Sequence, residues 1–259
     1  MTIHSFLSKV YFYKIGVLLF FIVYLFFLII NLPANIALSL IHLPRNISLS
    51  SVSGTFWSGY IKSVRYSGVE IGSASWELHP LYLIVGELSA DVSVVNNEHY
   101  INSQLNISPS GRIQLEETRF LFDLSLLQPL TYGMPFSYAG KVSGYFPVSF
   151  INKNDYVGIN GKLSIDNIEM ISPQRQPFDG IMIDFRAEKE GATSGKIKDN
   201  DGQLDIDGQL TINKHGQLNI SAKLATREAG SSLENVISFL GRKDSRGRVQ
   251  LTGKFNLWH

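Results

Sequence analysis

Two hydrophobic patterns divide this chain. From Ile15 to Leu32 nearly every position is aliphatic or aromatic, and no Asp, Glu, Lys or Arg lies between Lys14 and Arg45. As a helix rising 1.5 Å per residue, that run is about 27 Å long, close to the roughly 30 Å hydrocarbon core of a bilayer. Leu, Ile, Phe and Val near the centre each favour insertion by about 0.3–0.6 kcal/mol, against a cost of about 3 kcal/mol for one Lys or Asp. Residues 15–32 are therefore predicted to span a membrane.

Beyond the run the period changes to two. Leu88, Ala90, Val92 and Val94 alternate with Glu87, Ser89, Asp91 and Ser93, and Ile181, Ile183, Phe185 and Ala187 alternate with Met182, Asp184, Arg186 and Glu188. The same holds for Leu204–Ile212, Leu218–Leu224 and Val249–Leu257. Side chains along a strand point to opposite faces, so each run predicts a strand with one dry and one wet side. Asn96-Asn97, Asp201-Gly202 and His215-Gly216 punctuate the runs as tight turns, which predicts antiparallel hairpins. One later helix is signalled: Ser231 and Glu234 have capping-box spacing, Leu233, Val236, Ile237 and Leu240 form a stripe, and Gly241 stops it. One short helix cannot cover the dry faces of about a dozen strands, so those faces cover each other, curl into a trough, or are filled by a partner or ligand. The expected fold is mainly β. A single N-terminal transmembrane helix precedes a large antiparallel, curved β-sheet, trough or sandwich-like, with one short helix near the C-terminus.

The flanks of the apolar run set its orientation. Lys9 and Lys14 precede it, Tyr11 and Tyr13 are placed for the headgroup level, and Arg45 is the first basic residue on the far side. Basic flanks stay in the cytoplasm. This predicts a cytoplasmic segment 1–14, the span 15–32 and a periplasmic β-rich domain 33–259. A cleaved signal peptide is the competing reading, since Ala37-Leu38-Ser39 loosely resembles a cleavage site. A signal's apolar core is usually about 7–15 residues, shorter than this run, and Pro33 follows directly, so an uncleaved anchor is favoured. A retained anchor also argues against an outer-membrane barrel.

Composition narrows the function. A formal net charge of +1 supplies no basic field, so nucleic acid is not a natural partner. The chain has no cysteine, which excludes disulfides, thiol catalysis and thiolate metal sites. Its histidines, His4, His42, His79, His99, His215 and His259, have no metal-binding spacing, and neither a Gly-x-Ser-x-Gly elbow nor a phosphate loop occurs. Asp199, Asp201, Asp205 and Asp207 hint at calcium. However, with Gly202 or Gly208 at the sixth place of a calcium loop, the first place falls on Ile197 or Gln203. No enzyme activity, metal or cofactor is expected. Arg242, Lys243, Arg246 and Arg248 form a basic cluster that reads as a solvated face, with an acidic partner or a lipid phosphate as the alternative.

Three segments after the apolar run carry a resemblance: Leu32-Pro33-Ala34, then Gly54-Thr55-Phe56-Trp57-Ser58-Gly59, then Trp76 to Pro80 with Gly86. Residues 15–90 closely resemble the type II secretion system protein N family, also called general secretion pathway protein N. From 100 to 200 only the strand pattern is shared. The C-terminal strands are similar in style to the family and to AsmA-type envelope proteins. The resemblance implies a non-enzymatic accessory subunit in the inner membrane, in contact with other type II secretion components. An AsmA-like groove that binds or shuttles lipid is the alternative. Pro33, Ala34, Gly54, Thr55, Trp57, Gly59, Trp76, Pro80 and Gly86 are the family-motif positions. Residues 54–59 read either as a folding corner sealed by Trp57 or as a docking point. By alternation Trp76 is expected in the core, and Trp258 falls on the polar side of the last strand.

Overall fold

The computed structural model describes residues 3–40, 44–126, 137–152, 156–172, 175–188, 191–228, 233–234, 237–238 and 241–256. A 28-residue helix, α1, runs Ile3–Ile30, and a short α2 follows at Ala34–Ser39. The strands are β1 Ile47–Gly54, β2 Ser58–Tyr66, β3 Val69–Leu78, β4 Leu88–Asn96, β5 His99–Ile107, β6 Arg112–Asp123 and β7 Ser137–Asn152. They continue as β8 Tyr156–Ser172, β9 Gln176–Ala187, β10 Thr193–Asp199, β11 Leu204–Ile212, β12 Gln217–Thr226 and β13 Val249–Asn256. A 3₁₀ helix, Pro80–Val85, joins β3 to β4.

All 13 strands belong to one sheet, in chain order. Each strand pairs antiparallel with its neighbour in the chain. The expected antiparallel sheet holds, and among the described residues its strands form one continuous sheet. The predicted turns also hold: Asn97 and Asp201 adopt positive φ of 53° and 55°, and Gly216 sits at 74°.

Helix α1 departs from the expected span in its limits. It begins ahead of Lys14 and stops at Ile30, two residues short of Leu32. The Asn31 side chain donates to the Phe27 carbonyl (2.9 Å), and Pro33 drives the residue before it toward extended backbone. Side chains are described from Lys14 onward, and among the described residues no helix is long and apolar enough to cross a membrane.

The dry face is most complete over the last four strands. Ile197, Leu204, Ile206, Leu210, Ile212, Ala222, Leu224 and Val249 are buried together with Leu233 and Ile237, two of the four predicted stripe positions. Val236, Leu240 and the capping Ser231 lie outside the described residues, as does Trp258. Further up the sheet, large side chains lie across glycines on the neighbouring strand. Phe120 pairs with Gly144, where a Cβ would overlap the Phe120 ring, and within the last strands Leu210 covers Gly195 in the same way (2.7 Å). The rings continue sideways, Phe120 to Phe146 and Phe146 to Phe185, each at 5.7 Å between centroids.

Bulges bend the sheet. Glu117, Asn167 and Asp179 hold positive φ of 49°, 51° and 69°, each next to a register shift. A bulge inserts one unpaired residue, increases twist and reverses which parity faces inward. The long middle strands β6–β9 therefore keep an apolar face without continuous alternation.

Candidate functional site

The family-motif residues meet where α1 reaches the sheet. The last carbonyls of any helix lack intrahelical partners. Here the β1–β2 turn supplies one: the Trp57 indole N–H donates to Ile29 O (3.0 Å), and, two residues past the helix, Leu32 O accepts from the Phe56 amide (2.7 Å). Pro33 forms an antiparallel bridge with Thr55, and Ala34 beside it is 1% exposed.

The β1–β2 turn that holds the helix end is itself fixed by its sequence. Gly54 lies at φ +91°, the Thr55 amide donates to Ser58 O (2.8 Å), and the Ser58 amide donates to Thr55 Oγ1 (3.3 Å). Trp76 reaches across from β3, donates its indole N–H to Phe56 O (2.9 Å), and lays its ring over Gly59, where any Cβ would overlap it. Trp76 is half-buried, so the expected core ring is a brace between two strands with one side open. The Leu78 amide donates to Trp57 O (2.6 Å), which ties the end of β3 to the same corner. Seven motif positions, Pro33, Ala34, Gly54, Thr55, Trp57, Gly59 and Trp76, thus form one joint. Pro80 and Gly86 stand apart, opening and closing the 3₁₀ helix, with Gly86 left-handed at φ +81°.

Phenylalanine keeps an aromatic ring at position 57 but has no N–H to donate to Ile29 O. Trp57→Phe is expected to lower unfolding free energy in detergent by about 1 kcal/mol. Urea titration of the full chain checks this, and an unchanged midpoint would show the bond to be idle.

Beside the joint, on the wet face, lies an open groove of about 680 Å³ bounded by Gly59, Trp76, Glu77, Asp91 and Glu117 among others. Its charged walls are acidic, and Asp91 is paired with His79 Nε2 at 3.0 Å. On the dry face, at the opposite rim, Tyr66, Ile71, Val94, Ile101, Leu121 and Phe122 line an apolar cavity of about 180 Å³. His99 at its edge bonds Asp123 (2.9 Å), while its Nδ1 has no partner among the described residues.

The aspartates considered for calcium close a hairpin instead. Asp199 Oδ1 accepts from Arg227 Nη2 (2.5 Å), and its carboxylate also accepts the amides of Ile206 and Asp201 (each 2.9 Å). Burial pushes the Asp199 carboxyl up, but the Ile206 amide, Arg227 and the Asp201 amide together hold it below the usual carboxylate range. A carboxylate with a lowered folded-state pKa stabilises the fold above its unfolded pKa of about 3.9 and loses that contribution as pH falls through the folded value. Acidification below about pH 4 is therefore expected to destabilise the chain, and Asp199→Asn to flatten that limb while weakening the fold at neutral pH. Urea midpoints between pH 7 and pH 2 check this. Among the described residues no group of three or more His, Asp or Glu is placed to hold a metal. Two members of the basic cluster are committed to partners, Lys243 to Glu234 and Arg248 to Asp205 (3.1 Å).

A family model, Type II secretion system (T2SS), protein N, matches residues 45–252. The chain belongs to that family. A type II secretion system protein N from Vibrio cholerae serotype O1 is 39% identical over 75 residues, 29% of this chain. The chain thereby spans 30% of that curated relative's length. No solved structure matches. For this protein N family member the matched segment takes in every strand from β1 to β12 and the first half of β13. The turn 54–59, Trp76, Pro80 and Gly86 lie inside it, whereas Pro33 and Ala34 precede it. Sequence reading found the motif but not its purpose. That a strand-turn tryptophan caps a helix 28 positions earlier has no local signature.

Proposed function

We propose that the chain is an accessory inner-membrane subunit of the type II secretion machinery, held by α1 and acting through protein–protein contacts of its periplasmic sheet. Membership of the protein N family over residues 45–252 carries this reading. In it, residues 1–14 are cytoplasmic, 15–32 span the inner membrane and 33–259 lie in the periplasm. Three features support the span. The sequence run is uncharged from Ile15 to Leu32, the α1 backbone is continuous, and its described apolar side chains stand open, with Phe20 71% exposed. Hydrocarbon, rather than water, is the solvent such a surface matches.

The joint gives the anchor its use. Trp57 bonds the last turn of α1, and Phe56 the Leu32 carbonyl just past it, so a displacement of the sheet is transmitted to the membrane segment. No catalytic step is part of this role, and other secretion components are its partners.

Deleting the gene is expected to leave folded cargo in the periplasm. The full chain should restore release, and a copy whose residues 1–32 are replaced by a cleavable signal should not. Unchanged release from the deletion strain would refute the reading. Alkaline phosphatase fused after residue 40 should be active, and fused at the N-terminus inactive.

The apolar cavity at the opposite rim favours a second reading, a groove that binds or shuttles lipid. At about 180 Å³ it is smaller than the roughly 300–1,000 Å³ of ordinary ligand sites, which suits the end of an acyl chain rather than a whole lipid. Mass spectrometry of the purified chain tests this, and lipid-free protein would count against it.

A further inference from the structure

The 3₁₀ helix between β3 and β4 is apolar and faces outward. Leu81, Ile84 and Val85 are 76%, 82% and 70% exposed, and Tyr82 and Leu83 are each 42% exposed. No Asp, Glu, Lys or Arg lies between Glu77 and Glu87. An isolated exposed leucine is ordinary, but a contiguous run of such residues on a short projection marks a contact surface.

The projection has a built shape. Pro80 opens it, Gly86 closes it at left-handed φ, and the Gly86 and Glu87 amides return to Leu83 O and Tyr82 O, each at 3.0 Å. At its base the His79 amide donates to Ser89 O (2.9 Å), and the His79 and Tyr82 rings lie 6.1 Å apart. The apolar side chains are therefore held out by a braced turn.

Its position decides the occupant. The Leu78 amide that precedes the turn is bonded to Trp57 O, and the Trp57 indole is bonded to Ile29 O at the end of α1. Two hydrogen bonds separate the projection from the exit of the helix, on the same rim of the sheet. Given α1 as the membrane span, that rim faces the bilayer, and a short apolar element there meets the boundary between headgroups and acyl chains. Leu, Ile and Val suit the acyl side of this boundary, and Tyr82 suits the headgroup level.

We propose that Pro80–Val85 is a second membrane contact, dipping into the outer leaflet of the inner membrane beside α1. One helix, joined to the sheet through Trp57, leaves the helix and sheet free to tilt together in the bilayer. A second contact on the same rim fixes that tilt and aims the wet-face groove in a defined direction.

This rests on the reading of α1 as the span, and the test separates the two. The chain has no cysteine, so single labels are unambiguous. Full-length Leu25→Cys, Ile84→Cys and Ser67→Cys, the last in the turn at the opposite rim, are each labelled with an environment-sensitive dye. They are then reconstituted in phosphatidylethanolamine–phosphatidylglycerol vesicles. Position 84 is expected to shift to the blue and to lose emission to lipid-borne nitroxide, as position 25 does, while position 67 responds to aqueous iodide alone. If position 25 is quenched from lipid and position 84 only by iodide, the second contact is refuted and the span stands. If position 25 itself escapes lipid quenching, the span reading fails first. Protection of position 84 from both quenchers would place a protein surface over it and would equally overturn the proposal.

Discussion

Replacing Gly161 by alanine is expected to lower unfolding free energy by about 3–5 kcal/mol, from the strain of a glycine-only conformation and the overpacking of a filled site. Gly161 sits in β8 at φ +152°, and an added Cβ would overlap the Tyr145 carbonyl and come 2.6 Å from the Phe146 ring. Neither neighbour yields easily. The carbonyl is backbone within β7, and Phe146 is buried between Phe120 and Phe185. Against a typical total of about 5–15 kcal/mol, such a loss leaves much of the population unfolded at growth temperature. Gly68→Ala is the control. Its φ of +85° is also positive, but nothing lies within 4 Å of the added Cβ, so about 1 kcal/mol is expected there. Urea unfolding of both variants by circular dichroism checks the contrast, and equal midpoints would show that the Phe146 packing carries little weight.

The second large effect is expected at Leu233. It is 0% exposed and lies against the dry face among Leu224, Val249 and their neighbours, in the segment that covers the last strands. Truncating a fully buried leucine costs about 3 kcal/mol or more when the surroundings cannot collapse into the gap. Leu233→Ala should therefore lower the unfolding midpoint sharply. Leu81→Ala, on the exposed 3₁₀ helix, should leave the midpoint unchanged. A small loss at Leu233 would mean that the sheet closes over the missing side chain.

The chain announces its last strands plainly and its middle ones poorly, and the bulges explain the difference. From β10 onward one face is covered, so apolar residues keep to one parity. Leu204, Ile206, Leu210 and Ile212 are all buried at the positions that alternation gives them. In β6 and β8, Glu117 and Asn167 each add an unpaired residue and reverse the parity, which erases the period although the face persists. The 3₁₀ helix was hidden for another reason. Leu81 to Val85 is too short and too uniformly apolar to show any period, and only Pro80 and Gly86 mark its ends. Helix α2 likewise fits inside the gap between Pro33 and β1 without a capping side chain. At the joint, the motif positions Pro33, Ala34, Gly54, Thr55, Trp57, Gly59 and Trp76 are visible in the sequence, but their partners Ile29 and Leu32 are not. The sequence leaves open whether they form a folding corner or a docking point, because the partner of Trp57 is the helix itself.

The unbroken order of the strands bears on how the molecule is made. Every strand pairs with the one synthesised just before it, so no pairing waits for a distant part of the chain. As residues emerge, the sheet can grow by accretion, hairpin upon hairpin, from the corner beside α1 outward. Each strand added leaves one unpaired edge, and the next strand to arrive is the natural occupant of that edge.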